Sequence, residues 1–281
     1  MAASKTEDPT RLEKEIDDND IDRKLWIAEV TRKCDGDDGE LFPLPVTDPP
    51  NSVLNVATDI WKRLGTDVYP PSDDSFLLVR AIEKEIDLCT NARIVLEIGS
   101  GSGFVAASCA KILAQECIVL AVDKNPRATA FTADTIRRSG STRFDVIRTN
   151  LSTSLKLRGM VDILVFNPPY VVTPESEMEG DGISISWAGG KDGRVVIDSF
   201  LPSVADLLSE SGLFFMVSIE ENMPRDIIDA GRRLGLDGRV CLQKKVSLWR
   251  AACIAVFSSR RLDFPDPPLS SPLFSSNAVR D

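Results

Sequence analysis

The sequence predicts an α/β domain: a mostly parallel sheet with helices on both faces and an antiparallel hairpin added at its end. Three observations carry this. From residue 93 onward, apolar runs of strand length alternate with segments of helical period, the pattern of parallel strands joined by helical crossovers. A glycine-rich turn, Gly99-Ser-Gly101-Ser-Gly103, links the first such run to the helix after it. The last two runs, near 239–246 and 248–257, have no helix between them and so pair antiparallel.

In chain order, residues 1–50 carry 14 acidic and 7 basic side chains, with prolines at 43, 45, 49 and 50. That composition predicts a disordered or loosely attached extension, although Ile21, Leu25, Trp26 and Val30 stand near the spacing of a short amphipathic helix. Residues 51–260 are read as the folded domain. Val53, Val56, Ala57, Ile60 and Leu64 share one helical face, and Tyr69-Pro70-Pro71 ends that pattern. Asp73 or Asp74 is placed to cap a helix running through Phe76, Leu77, Ile82 and Ile86. Residues 93–98 read as a strand, 104–113 as a helix and 118–122 as a strand. Pro126, suited to a first helical turn, opens a helix to about 138, and 144–147 follows as a strand. Val161–Phe166 is apolar throughout, as a strand buried on both faces must be. A loop rich in Gly and Glu covers 171–190, a helix 192–209, a strand 213–219 and a helix 224–234. Residues 261–281, with four prolines and many serines, are expected to be disordered.

Composition narrows the function. The chain has 281 residues, 43% of them hydrophobic, enough for one domain of about 200–250 residues with appendages. It contains no apolar run of about 18 residues, so no membrane span is expected, and its acidic start lacks the apolar core of a signal peptide. Cys34, Cys89, Cys109, Cys117, Cys241 and Cys253 are scattered without a C-x-x-C pair, which predicts a reduced cytosolic or nuclear protein. Histidine is absent; the commonest general base and metal ligand is therefore missing, and no metal site is expected. Of the formal charge of −10, residues 1–50 hold −7. A body near neutrality lacks the basic face of a nucleic-acid binder.

The chemistry centres on Asn167-Pro168-Pro169-Tyr170, at the end of the Val161–Phe166 run. Proline stops the ladder and holds the residue before it extended. This makes a stiff corner at the carboxyl end of a strand, where open α/β sheets bind ligands. Asn167 offers an amide oxygen, Pro168 a free carbonyl and Tyr170 a flat ring, a set that suits a planar group carrying an NH2. Gly99, Gly101 and Gly103 permit a tight turn and close approach to a ligand. Glu97 stands in an otherwise apolar strand, where a carboxylate is costly without a partner. Asp123 ends the second strand, placed for the hydroxyls of a ribose. Phe104 replaces the third glycine of the dinucleotide fingerprint, and the Walker Lys-Ser/Thr is absent. These residues indicate a nucleoside cofactor, either a dinucleotide or S-adenosylmethionine, with nothing to support hydride transfer.

These motifs resemble class I S-adenosylmethionine-dependent methyltransferases that modify the amino group of glutamine or adenine. Tyr69-x-Pro-x-x-Asp74-Ser-Phe, Leu96-Glu-Ile-Gly-Ser-Gly-Ser-Gly103, Val165-Phe-Asn-Pro-Pro-Tyr-Val-Val-Thr-Pro174 and Trp187-Ala-Gly-Gly190 are similar to the eukaryotic HemK2 branch. The likeness covers residues 69–258. It implies a Rossmann-like seven-stranded sheet in the order 3-2-1-4-5-7-6 with strand 7 antiparallel. It also implies a glutamine N5-methyltransferase acting on a Gly-Gly-Gln motif of a translation termination (peptide chain release) factor, and a small zinc-binding activator subunit paired along a sheet edge. For the cofactor it implies Glu97 and Gly99 near the methionine end, Ser75 near its carboxylate, Asp123 on the ribose, and Asn150 with the Leu151 N–H at the adenine. Asn150 departs from the family, which has an aspartate there; an amide oxygen still accepts, without charge assistance.

An amide nitrogen is a poor nucleophile, and no histidine is present to deprotonate it. Asn167 Oδ1 and the Pro168 carbonyl would instead accept its two N–H bonds, more strongly as positive charge develops, while Tyr170 stacks on the amide plane. Adenine N6 methylation, histone lysine methylation and a catalytically idle cofactor-binding scaffold remain the alternatives.

Overall fold

The computed structural model describes residues 48–113, 116–179, 183–245 and 251–259. The acidic extension before residue 48, with the segment around Ile21, and the tail after residue 259 lie outside the described residues.

Seven strands among the described residues form one sheet in the order β3-β2-β1-β4-β5-β7-β6. They are β1 (Ile94–Ile98), β2 (Ile118–Asp123), β3 (Phe144–Arg148), β4 (Val161–Phe166), β5 (Leu208–Ile219), β6 (Asp237–Lys245) and β7 (Ala251–Ser258). Only β7 runs antiparallel to its neighbours, β5 and β6. This is the order and the polarity that the family resemblance implied.

Four helices cover one face: α1 (Leu54–Arg63), α2 (Asp73–Lys84), α3 (Phe104–Ile112) and α4 (Pro126–Arg138). Two cover the other: α5 (Val195–Leu207) and α6 (Pro224–Arg233). Strand alternation divides the core accordingly. Val95, Ile163, Val165, Phe215 and Ile254 pack toward α1–α4, and Leu96, Leu164, Phe166, Phe214 and Phe257 toward α5 and α6. On the second side, aromatic rings follow one another from Phe166 to Phe200 (5.1 Å), Phe214 (6.1 Å) and Phe257 (5.6 Å).

Strand order reverses between β1 and β4, which pair in parallel with Ile98 beside Phe166. The glycine turn after β1 and the Asn-Pro-Pro-Tyr corner after β4 therefore leave the sheet side by side, at its switch point.

Three local expectations need correction. The cap of α2 is Ser72, whose side chain makes no capping bond; Asp73 and Asp74 sit inside the first turn. Helix α5 begins at Val195, after a 3-10 turn over Lys191–Gly193 in which Asp192 is left-handed (φ 55°). Strand β5 begins at Leu208, directly after α5, because Leu208 pairs with Val161 before a bulge shifts the register. The folded body also reaches back to residue 48: Pro49 and Pro50 are buried, and Arg80 Nη2 donates to the Asp48 carbonyl at 3.0 Å.

Candidate active site

At the switch point lies an open cavity of about 1160 Å³. Its walls include Ser75, Glu97, Gly99, Gly101, Asp123, Asn150 and Leu151, together with Asn167, Pro168, Pro169 and Tyr170. The structure thus brings together every anticipated site residue but Gly103, which stands back from the cavity. Gly103 has φ 73°, and a Cβ there would fall 2.8 Å from Thr132 Cα. Its smallness lets α3 close on α4.

Two buried side-chain oxygens of residues lining this cavity have no hydrogen-bond partner among the described residues, Glu97 Oε2 and Asn167 Oδ1. Glu97 is 4% exposed, and burial holds its carboxyl well above the ordinary range. The charge of Asp123 pushes the same way, and the Ala106 N–H opposes it. No salt bridge to Glu97 is present among the described residues, so the structural explanation for a carboxylate here, an internal ion pair, is not met. A buried acceptor without a donor costs about 1–3 kcal/mol, which a cationic or N–H-bearing ligand would recover.

Asp123 has a second task that its position in the sequence did not announce. Its Oδ2 accepts from Gly101 N (2.9 Å) and its Oδ1 from Asn125 N (2.8 Å), so it staples the glycine turn to the start of α4. Burial raises its carboxyl, and those N–H bonds oppose the rise. Each oxygen keeps a lone pair for a ribose hydroxyl. Asn150 is exposed, and Leu151 is a non-glycine residue with φ 49°, the kind of strain that gathers at ligand sites.

Around Asn167 the structure adds three residues that sequence reasoning left out of the site. Asp74, 4% exposed, accepts on Oδ2 from Asn167 Nδ2 (3.0 Å), Tyr170 Oη (3.0 Å) and Tyr69 Oη (3.2 Å). Its Oδ1 accepts from Ser75 N (2.6 Å) and Ser75 Oγ (3.1 Å). Asn222, fully buried, donates from Nδ2 to the carbonyls of Tyr170 (2.8 Å) and Asp192 (2.9 Å). Gly193, at φ 65°, lies so close that a Cβ would fall 2.0 Å from the Tyr170 carbonyl oxygen. A signal for Asp74 existed, since it precedes Ser75 in the Tyr69-x-Pro-x-x-Asp74-Ser-Phe motif. Asn222 gave none, because it meets the corner only in the folded chain.

The chain matches the model of the "Methyltransferase small domain" over residues 72–179. It is 41% identical over 197 residues to "Methyltransferase HEMK2" of Homo sapiens, covering 68% of this chain and 92% of the human protein. The chain belongs to the HEMK2 methyltransferase family. It is therefore an S-adenosylmethionine-dependent methyltransferase, and the cavity fits that cofactor: left-handed glycines for close approach, a buried carboxyl with one oxygen unpartnered among the described residues, and an acidic residue at the end of β2. It is also 31% identical over 195 residues to the eRF1 methyltransferase catalytic subunit mtq2 of Schizosaccharomyces pombe, covering 64% of this chain and 84% of that one. Among solved structures, it resembles the E. cuniculi Mtq2-Trm112 complex, responsible for methylation of the eRF1 translation termination factor. The TM-score is 0.54 and the identity 26%, over 69% of this chain and 99% of that one.

Proposed function

We propose that this chain methylates the side-chain amide nitrogen N5 of a glutamine, in a Gly-Gly-Gln motif of a peptide chain release factor. The observation that carries the reading is the buried, unpartnered Asn167 Oδ1 beside Pro168, whose carbonyl has no donor among the described residues. Two acceptors at one corner match the two hydrogens of a planar NH2. The relatives named for eRF1 methylation supply the substrate class.

S-adenosylmethionine, when bound, supplies an electrophilic methyl on a sulfonium. The residues of the chain position the nitrogen and hold its protons. Asn167 Oδ1 and the Pro168 carbonyl take the two N–H bonds and leave the lone pair directed away from them. Both bonds strengthen as the nitrogen turns cationic, so they favour the transition state over the ground state; the methylated nitrogen then gives up one of its two protons to solvent. The Tyr170 ring fixes the tilt of the amide plane, and positioning of this kind is worth about 7–11 kcal/mol in favourable cases. Glu97, Gly99, Ser75, Asp123, Asn150 and the Leu151 N–H would hold the cofactor. Adenine presents a similar NH2, but a formal charge of −10 disfavours a nucleic-acid substrate.

We also propose a small zinc-binding activator subunit as partner, since the E. cuniculi relative was solved as a complex with Trm112. The β3 edge is the surface we assign to it. At the opposite edge, Lys84 Nζ and Arg232 Nη2 already bond the β6 carbonyls of Cys241 and Gly238. A reducing compartment, cytosol or nucleus, suits the five unpaired, buried cysteines among the described residues.

The test is methyl transfer from labelled cofactor, with and without the activator. Release factor, its Gln-to-Ala variant, a histone and a DNA oligonucleotide are offered side by side. Label on the release factor that disappears in the variant is the expected result. Label on histone or DNA alone would overturn the reading.

A further inference from the structure

We infer that Asp74 is a positioning residue that sets the hydrogen-bond polarity of the site, turning the Asn167 amide so that its oxygen and not its NH2 faces the substrate. The inference rests on the proposed function above, because it takes Asn167 Oδ1 as the acceptor for a substrate N–H.

The side-chain amide of Asn167 has two ends of nearly equal size, and nothing in the residue itself decides which one points into the cavity. Asp74 decides it. A carboxylate only accepts, and its Oδ2 stands 3.0 Å from one end of the amide, so that end must be the NH2. Reversing the amide would set oxygen against carboxylate in a buried site. Asp74 cannot turn away to relieve this. Its other oxygen is fixed by the backbone N–H and hydroxyl of Ser75 in the first turn of α2, and the Tyr69 and Tyr170 hydroxyls close on the same Oδ2. Burial first, and then the charge of Asp74, keep the Tyr69 hydroxyl protonated and donating. One carboxylate thus orients the two side chains of the corner that would touch the substrate, Asn167 and Tyr170, from 93 and 96 residues away in sequence.

The consequence is selectivity by donor and acceptor type. The pocket accepts hydrogen bonds and has no donor of its own at the Asn167 position. A side-chain amide, a nucleobase amine or an ammonium meets it favourably. A carboxylate does not, so glutamate, nearly isosteric with glutamine, is excluded.

Asp74→Asn tests the idea with almost no change of shape. The Ser75 N–H holds the oxygen of the new amide, so its NH2 faces Asn167. The Asn167 amide must then reverse and present its own NH2 to the substrate. We expect kcat to fall at least 100-fold, while the Kd of S-adenosylhomocysteine stays within about fivefold. Exchanging the two groups, Asp74→Asn with Asn167→Asp, restores an acceptor facing the cavity, and the double variant should be at least tenfold more active than Asp74→Asn. A readout independent of turnover is the side-chain NH2 pair of Asn167 in protein labelled with 15N-asparagine, assigned by its loss in Asn167→Ala. In the wild type one proton should be shifted downfield and protected from solvent, and in Asp74→Asn that protection should go. Turnover by Asp74→Asn within threefold of wild type, a double variant no better than the single, or an unprotected pair in the wild type would each overturn the inference. A wild-type enzyme that leaves release factor unlabelled but shows the protected NH2 would sink the proposed substrate and leave the polarity assignment standing.

Discussion

Asn222 Nδ2 lies 2.8 Å from the backbone carbonyl of Tyr170, a contact between residues 52 apart in the chain. The same side chain bonds the Asp192 carbonyl and accepts the Ile219 N–H (2.8 Å), so it ties the Asn-Pro-Pro-Tyr corner, the glycine loop before α5 and the end of β5 into one knot. Asn222→Ala would remove all three bonds, of which the one to the Ile219 N–H is buried and those to the Tyr170 and Asp192 carbonyls are part-buried. One buried group losing its partner costs about 1–3 kcal/mol, so the stability loss in urea denaturation should be at least about 1 kcal/mol, and kcat per folded molecule should drop as Tyr170 relaxes. Gly193→Ala should act the same way, since its Cβ would strike the Tyr170 carbonyl. A loss below about 0.5 kcal/mol, the usual range of surface changes, would show that the knot is not structural.

Asn167→Ala should lower kcat about 10²–10³-fold, or roughly 2.7–4 kcal/mol, as does removal of one preorganised polar contact elsewhere. Cofactor affinity should change much less, because Glu97, Asp123 and the glycine turn are untouched. The check is kcat, S-adenosylhomocysteine Kd and Tm on one preparation. Unchanged kcat with a lowered Tm would make Asn167 a turn residue and no more.

Glu97 predicts a pH dependence. Its carboxyl is held well above its ordinary 4.5, chiefly by burial, so the ligand-free fold keeps a proton that the unfolded chain releases. Stability from this group is therefore present at low pH and lost as pH rises from about 4.5 through the folded-state value. Glu97→Gln has no charge to desolvate. It should be more stable than wild type at neutral pH, with the advantage vanishing near pH 4. Asp123 shifts in the same direction, and comparing the two proteins cancels its share. The ammonium of S-adenosylhomocysteine favours the ionised form, so binding should release a proton in wild type and weaken in the variant. Tm against pH and calorimetry in two buffers measure both, and parallel Tm profiles would refute the assignment.

Two truncations separate the acidic extension from the fold. Removing residues 1–47 should leave kcat within a few-fold. Removing 1–53 also takes Pro49, Pro50 and Val53, all buried, and the Asp48 carbonyl that holds Arg80, and should lower Tm. Equal behaviour of the two proteins would contradict this boundary.

The parts of the site that were legible in the sequence are those built from near neighbours. Gly99-x-Gly101 and Asn167-Pro168-Pro169-Tyr170 are short strings whose backbone constraints act locally, and Asp123 follows from its place at a strand end. Strand order could be inferred from the family likeness, but the helix and strand patterns alone gave only the parallel class and the final hairpin. Asp74 and Asn222 were not assigned to the site because their partners are supplied by folding. The start of β5 was missed because Ser209, Glu210 and Ser211 are polar, while their strand is fixed by the Leu208–Val161 pairing across the sheet. The packing of Gly103 against Thr132 was not legible, because a turn that needs φ of 73° for packing looks the same in sequence as one that needs it for a cofactor.

Phe166 immediately precedes Asn167 and heads the run of rings through Phe200 and Phe214 to Phe257. A residue anchored in this way has no low-cost local opening of its own. The corner should share the slow amide exchange of the central strands and open only when the sheet itself comes apart. Defects as far away as Phe257 would then reach Asn167 as fewer folded molecules, each working at its normal rate. A screen that scores total activity would mistake them for lesions of the site.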